Sequence, residues 1–264
     1  MLRSVFGKTL WDQRRALLAW ALGIGAVGVM YAAFYPSFNN PEMQQAIKAY
    51  PKGLLDAMGM TDITTAAGYL GSTTYGLLGP ALILVMAAAL GSGAIAGDED
   101  SGRLDLILAH PVSRWSLALQ RFVALVVGML TVSLVLGVAL IAISGPAQLG
   151  GIGPANLLAG SAHLAALGVF FGALALGIGA ATGRRGLVYA AVAVVAVAGY
   201  FGNNLGRSIS GLGWLHDISP FRFYSGGSPL TQGLQLADLG VLALAAAILV
   251  LLGTVAFDRR DLAV

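Results

Sequence analysis

Apolar residues in this chain come in long blocks and lack the three-and-four-residue rhythm of a helix with one wet face. Six blocks stand out: Ala16–Tyr35, Thr74–Gly97, Leu117–Ile143, Ala155–Ala181, Leu187–Gly202 and Leu239–Phe257. They contain no Asp, Glu or Lys, and their only arginine is Arg121, close to the start of the third. A helix needs about twenty residues to cross a hydrocarbon layer about 30 Å thick, because all its backbone hydrogen bonds must close within the segment. The pattern therefore predicts an all-α integral membrane protein with six transmembrane helices.

The stretches between the blocks differ in kind. In Met1–Arg15, Leu2, Val5, Phe6 and Leu10 share one arc with Trp11 nearby and the basic residues opposite, which predicts a helix lying in the membrane interface. Pro36–Thr73, with Pro41 and Pro51, reads as an external loop without chemistry. Ser144–Pro154 is an uncharged turn and Thr182–Gly186 a tight basic one. Asn203–Asp238 mixes polar residues with Ile209, Leu212, Trp214, Leu215, Ile218, Phe221, Phe223 and Tyr224. That density of apolar groups predicts an external re-entrant segment, packed back on the bundle before span six. Glycine pairs at four-residue spacing, Gly93/Gly97, Gly168/Gly172 and Gly179/Gly183, mark places for close helix approach.

Composition agrees with the pattern: 57% of the 264 residues are apolar and 10% are charged. The net charge of +3 matters less than its placement. Arg3, Lys8, Arg14, Arg15, Arg103, Arg114, Arg121, Arg184, Arg185, Arg259 and Arg260 fall on one side of a six-span topology, against Lys48, Lys52, Arg207 and Arg222 on the other. The positive-inside rule then puts both termini in the cytoplasm of a multi-pass protein of the cell membrane. The first apolar block is too long for the core of a signal peptide and reads as a retained helix. There is no cysteine, so disulfides and thiolate metal sites are excluded.

Between the second and third blocks lies GDEDSGRLDLILAHPVSRW, Gly97–Trp115. Gly97 is expected to end the second span, with Asp98, Glu99 and Asp100 at the positive end of a new helix dipole. A helix over Ser101–Ala109 puts Leu104, Ile107 and Leu108 on one face, toward the bundle, and Leu106 outward with Gly102, Ala109 and His110. Pro111 stops it, Ser113 caps the next helix and Trp115 anchors that helix at the interface. A short helix wedged between two spans transmits a push that a flexible loop would absorb.

DEDSGRLDLILAHPVSR resembles the cytoplasmic loop of ABC-transporter permeases of the type-2 exporter family. Asp98–Asp100 match its acidic start, Gly102 its glycine, Leu104–Leu108 its Leu-rich run around Asp105, and Pro111–Arg114 its ending. ISPFRFYSGG (Ile218–Gly227) and FDRRDLAV (from Phe257) resemble its external segment and its C-terminus, so the resemblance extends over the whole chain. It implies a single permease domain over 1–264 without a nucleotide-binding domain, an exporter half that pairs with a second permease chain, the same or related. The short helix is then a coupling helix, through which Asp98, Glu99, Asp100, Gly102, Arg103, Leu106, His110, Pro111 and Arg114 meet a separate ATPase subunit. ATP and Mg would be bound there, with no cofactor on this chain. Pro220, Phe221 and Tyr224 become an external gate. Arg103 and His110 depart from the small residues of the family pattern and alter the surface offered to the partner.

Chemistry within the chain finds little footing. Gly7-Lys8-Thr9 imitates the end of a P-loop, but the required earlier glycine is Leu2 and no strand precedes it, so this chain is not expected to hydrolyse ATP. Ser92 and His163 are the candidates for an intramembrane serine protease, yet they fall near opposite ends of their spans. His163 is the one histidine inside a block, which makes it a candidate for the substrate path or for a neutral bond to a neighbouring helix. The three histidines form no cluster, so no metal site is expected, and nothing points to nucleic acid. An ion-coupled carrier or channel usually places carboxylates or cations at membrane depth. Their scarcity here favours an externally driven path for apolar cargo, with the carrier or a non-transporting assembly protein as the alternatives.

Overall fold

The computed structural model describes residues 4–40, 42, 45, 49–50, 63–209 and 211–261. Met1, Leu2, Arg3, Pro41, Lys48, Pro51, Lys52 and the last three residues, named above for topology or resemblance, lie outside them. All regular structure among the described residues is helical: α1 (Val5–Phe38), α2 (Ala66–Ser72), a π-helical turn (Thr74–Leu78), α3 (Gly79–Ala94), α4 (Ala96–Asp100), α5 (Arg103–Leu108), α6 (Arg114–Ile143), α7 (Pro154–Thr182), α8 (Arg185–Ser208), α9 (Gly213–Ile218), α10 (Pro220–Ser225), α11 (Pro229–Gln232) and α12 (Leu236–Arg259). Six helical stretches are long and apolar enough to cross a membrane: α1, α2 through α3, α6, α7, α8 as far as Gly206, and α12.

Two boundaries move. The N-terminal amphipathic stretch is helical, but it is continuous with the first span, because nothing between Ser4, whose side chain caps α1 by accepting from Gly7 N–H (3.1 Å), and Pro36 interrupts the helix. The second span begins at Ala66 rather than Thr74. Residues 66–73 carry no charge, and the Thr65 side chain caps them by accepting from Gly68 N–H at 3.1 Å.

α7 is the centre of the bundle and packs against α3, α6, α8 and α12. It is apolar all round, and 67% of its most apolar stretch is buried, against 22–28% for α8, α1 and α12. In water those peripheral helices would expose costly surface; in lipid their outward side chains meet a solvent as apolar as themselves.

Glycine sets the close crossings, although not at all the expected places. A Cβ on Gly172 would sit 2.5 Å from Leu125, and one on Gly168 2.8 Å from Ile83, so this pair does let α6 and α3 approach α7. Gly93 has open space around it, and Gly97 meets only ordinary contacts, so neither supports a crossing. Other close approaches involve Gly28 against Leu136, Gly91, whose Cβ would fall 2.5 Å from that of Ala175, and Gly177 facing Gly253, where the α7 and α12 backbones touch.

The span ends gather in two groups. At the basic end, Phe6 N–H of α1 donates to Gln120 of α6 (3.0 Å), and α4, α5, the start of α8 and the end of α12 converge. At the opposite end, α9, α10 and α11 fold back over the bundle, as expected for the segment before span six. Phe221, Tyr224, Pro229 and Leu230 are buried, whereas Trp214 and Ile218 of α9 remain exposed.

Candidate functional site

The acidic stretch is built differently from the expected cap. α3 breaks at Ile95 (φ −131°, ψ −57°) rather than at Gly97, and Asp98 and Glu99 lie in the first turn of the separate short helix α4. The acids face arginines. Asp98 Oδ2 is 2.5 Å from Arg121 Nη2 of α6, with both side chains about 10% exposed, and Asp98 Oδ1 is 3.1 Å from Arg103 Nη2. Glu99 pairs with Arg260, just beyond α12, and this pair presses against Gly183 at the end of α7. Gly183 has φ 67° and closes α7 in the left-handed conformation, where a side chain would be strained and would strike the pair.

Arg114 completes the framework. Its Nη1 donates to the carbonyls of Phe257 (2.8 Å), Asp258 (3.3 Å) and Arg260 (2.7 Å), satisfying carbonyls that the end of α12 leaves without helical donors. Four charged groups expected to face a partner, Asp98, Glu99, Arg103 and Arg114, are thus engaged within the chain. They tie the connection to α6 and to the end of α12.

α5 is mounted on this frame. Gly102, with φ 66° and nothing near its absent Cβ, supplies the left-handed turn into the helix, so its requirement is conformational. Leu104 is buried in a cluster with Ile95, Leu117, Ala118, Ala180 and Phe257, and Ile107, Leu108 and Val112 flank it. Leu106 points away and is 69% exposed. Asp100, Gly102, Arg103, Asp105, His110 and Pro111 are exposed around it. His110 folds back on its own helix, its Nδ1 3.0 Å from the Leu106 carbonyl. Ser113 caps α6 as expected, accepting from Ser116 N–H at 3.2 Å. Beside α5 an open cleft of about 550 Å³ is lined by Asp105, Leu108, Val112, Arg114 and Asp258 among others.

The family model described as the C-terminal domain of the multidrug efflux system permease Rv1217c matches residues 2–258. The chain belongs to that family. As a permease with six long apolar helices it is a multi-pass membrane protein. No curated protein matches this permease.

The permease carries a second polar group at its other end. His163 is buried; its Nδ1 lies 3.3 Å from the Phe223 carbonyl, and its Nε2 accepts the Gln235 N–H at 3.2 Å. A ring that accepts at Nε2 carries its proton at Nδ1, so the imidazole is neutral and tethers the segment before α12 to α7. Asn156 of α7 reinforces it by donating to Leu230 (3.1 Å) and Thr231 (3.2 Å) carbonyls. Phe221 packs on Phe171 and Tyr200, Pro220 lies against Gly199, and Tyr224 O–H donates to the Tyr75 carbonyl at 2.5 Å. Ser92, at the basic end, bonds Tyr189 and the Ala89 carbonyl, so it and His163 serve separate networks.

Sequence reasoning missed Arg121, Arg260 and Gly183 as parts of the basic-end framework. One signal was available: Arg121 is the single charge inside an otherwise uncharged block. The partnership of Glu99 with a residue 161 positions away leaves no local trace.

Proposed function

We infer that the chain is the permease subunit of an ATP-driven exporter of the ABC type-2 kind, forming half of the translocation path with a second permease chain. The observation that carries this reading is α5: a short helix with Leu106 outward, tied to the ends of α6 and α12 through Asp98, Glu99 and Arg114. A separate ATPase subunit, holding ATP and Mg, pushes on Leu106 and its exposed neighbours. The clamp passes that displacement to α6 and α12 together. The termini are cytoplasmic in the cell membrane, a placement that the distribution of basic residues supports. The external segment, with Pro220, Phe221 and Tyr224, closes the far end of the path. Multidrug efflux in the family's name, together with spans poor in charge, supports a largely apolar cargo.

Purification of the tagged chain from its native membrane in mild detergent tests the reading. A stoichiometric soluble ATPase should travel with it, and Leu106→Asp should remove that ATPase while leaving the permease inserted. A chain that purifies without any nucleotide-binding partner, or Leu106→Asp that transports normally, overturns it.

A further inference from the structure

Span two contains an irregularity that neither polar group explains by itself. In the π-helical turn between α2 and α3, Leu78 N–H bonds the Thr73 carbonyl (3.1 Å) and Gly79 N–H the Thr74 carbonyl, each five residues back. For the next carbonyl, that of Tyr75, the residue five positions on is Pro80, which has no N–H. Gly79 is already engaged. The Tyr75 carbonyl therefore has no donor left in its own span, although Tyr75 is buried and a buried carbonyl needs one. The donor comes from outside the span: it is the hydroxyl of Tyr224, on α10. The Tyr75 side chain is anchored as well, its hydroxyl 2.9 Å from Ser161 Oγ and 3.2 Å from the Leu157 carbonyl.

The turn is poised between two registers. The Thr73 carbonyl already accepts from Leu77, four residues on, at 3.3 Å, as well as from Leu78. In a shortened α register Gly79 N–H would pass to the Tyr75 carbonyl, which would then no longer need Tyr224, and the Gly76 carbonyl would face Pro80 without a donor. Each register thus leaves one carbonyl wanting, and only the long one is completed by the external segment. Gly76 and Gly79 make the long register possible, since a Cβ on either would overlap the carbonyl five residues back.

We propose that this turn is a two-register hinge in span two, held in its long register by α10 through Tyr224. Withdrawal of α10 lets the turn shorten, rotating α2 by about 100° and shifting it by about 1.5 Å relative to α3. The hinge rests on the external segment acting as a gate, and not on the identity of the energy source. Because α3 leads through Ile95 into α4, it places the gate and the basic-end framework on one span.

The absence of native cysteine makes the test direct. Ala66 is 6% exposed, while its neighbours Thr65 and Ala67 are exposed and half-buried, so rotation by one residue in either sense uncovers it. Ala66→Cys is placed in the full chain, purified in mild detergent without nucleotide, and its reaction with a water-soluble maleimide is timed. Tyr224→Phe, which deletes only the hydroxyl, should raise the rate several-fold. Pro80→Ala should do the same with Tyr224 intact, because it supplies a donor to Gly76 and completes the short register, even though removing a proline ordinarily stabilises a helix. The double variant should react no faster than Pro80→Ala alone, since in the long register the N–H that Pro80→Ala introduces lies five residues on from the Tyr75 carbonyl and takes over from the Tyr224 hydroxyl. Protection of Ala66→Cys in either single variant, or rates that multiply in the double, overturns the hinge. Such a result overturns it even in a chain that keeps its ATPase, and loss of the ATPase leaves the labelling outcome untouched.

Discussion

Asp98→Ala isolates what the basic-end framework contributes. In the native chain one carboxylate serves two arginines in unlike surroundings: Arg121 is 10% exposed at 2.5 Å, and Arg103 is 66% exposed at 3.1 Å. Charge centres about 4 Å apart in an effective dielectric of about 20 attract by about 4 kcal/mol. Removing one partner of a buried pair costs about 3–5 kcal/mol, since the survivor is left desolvated and unpaired. An exposed pair contributes about 1 kcal/mol at most. Asp98→Ala is therefore expected to destabilise the fold by about 3 kcal/mol, somewhat over a hundredfold in equilibrium constant, and Arg103→Ala by under about 1 kcal/mol. Asp98→Ala/Arg121→Ala should recover part of the loss by deleting the stranded cation. The assay is reversible unfolding in mixed micelles of mild detergent and dodecyl sulfate, followed by circular dichroism. If Asp98→Ala is no less stable than Arg103→Ala, or the double variant loses the sum of both single effects, the pair does not hold the framework together.

Other consequences are as direct. Gly183→Ala should lower stability by about 1 kcal/mol or more from the left-handed backbone alone, with a further loss as it displaces Glu99 from Arg260, measured in the same unfolding assay. Gly91→Leu should keep the protein from accumulating in the membrane, because α3 and α7 cannot separate at Ala175 without opening the core, whereas Gly93→Leu, with open space around it, should express normally on an immunoblot of membranes. His163→Leu should cost about 1–3 kcal/mol for each backbone partner it strands and render the segment around Gln235 susceptible to proteolysis. His163→Gln, which can accept and donate in turn, should resist proteolysis nearly as well as the native chain.

The sequence by itself determined the parts that one solvent dictates. Blocks with almost no charge have one stable form in hydrocarbon, so six spans followed from their lengths, and the outward Leu106 and inward Leu104 followed from helical spacing across four residues. Ser113 was legible for the same reason, since capping depends on neighbours in sequence, whereas Gly102, expected inside the short helix, makes the left-handed turn ahead of it. Partnerships over long separations were decided only in the folded bundle. Nothing near Asp98 indicates that it belongs to Arg121, or near Glu99 that it belongs to Arg260, because inside a membrane protein the cost of an unpaired charge is relieved by whichever helix end lies alongside. The π-turn in span two has the same origin. A local reading sees only TYGLLGP, whereas the register there is completed by a hydroxyl 149 residues away, and backbone satisfaction over that distance is set by tertiary packing alone.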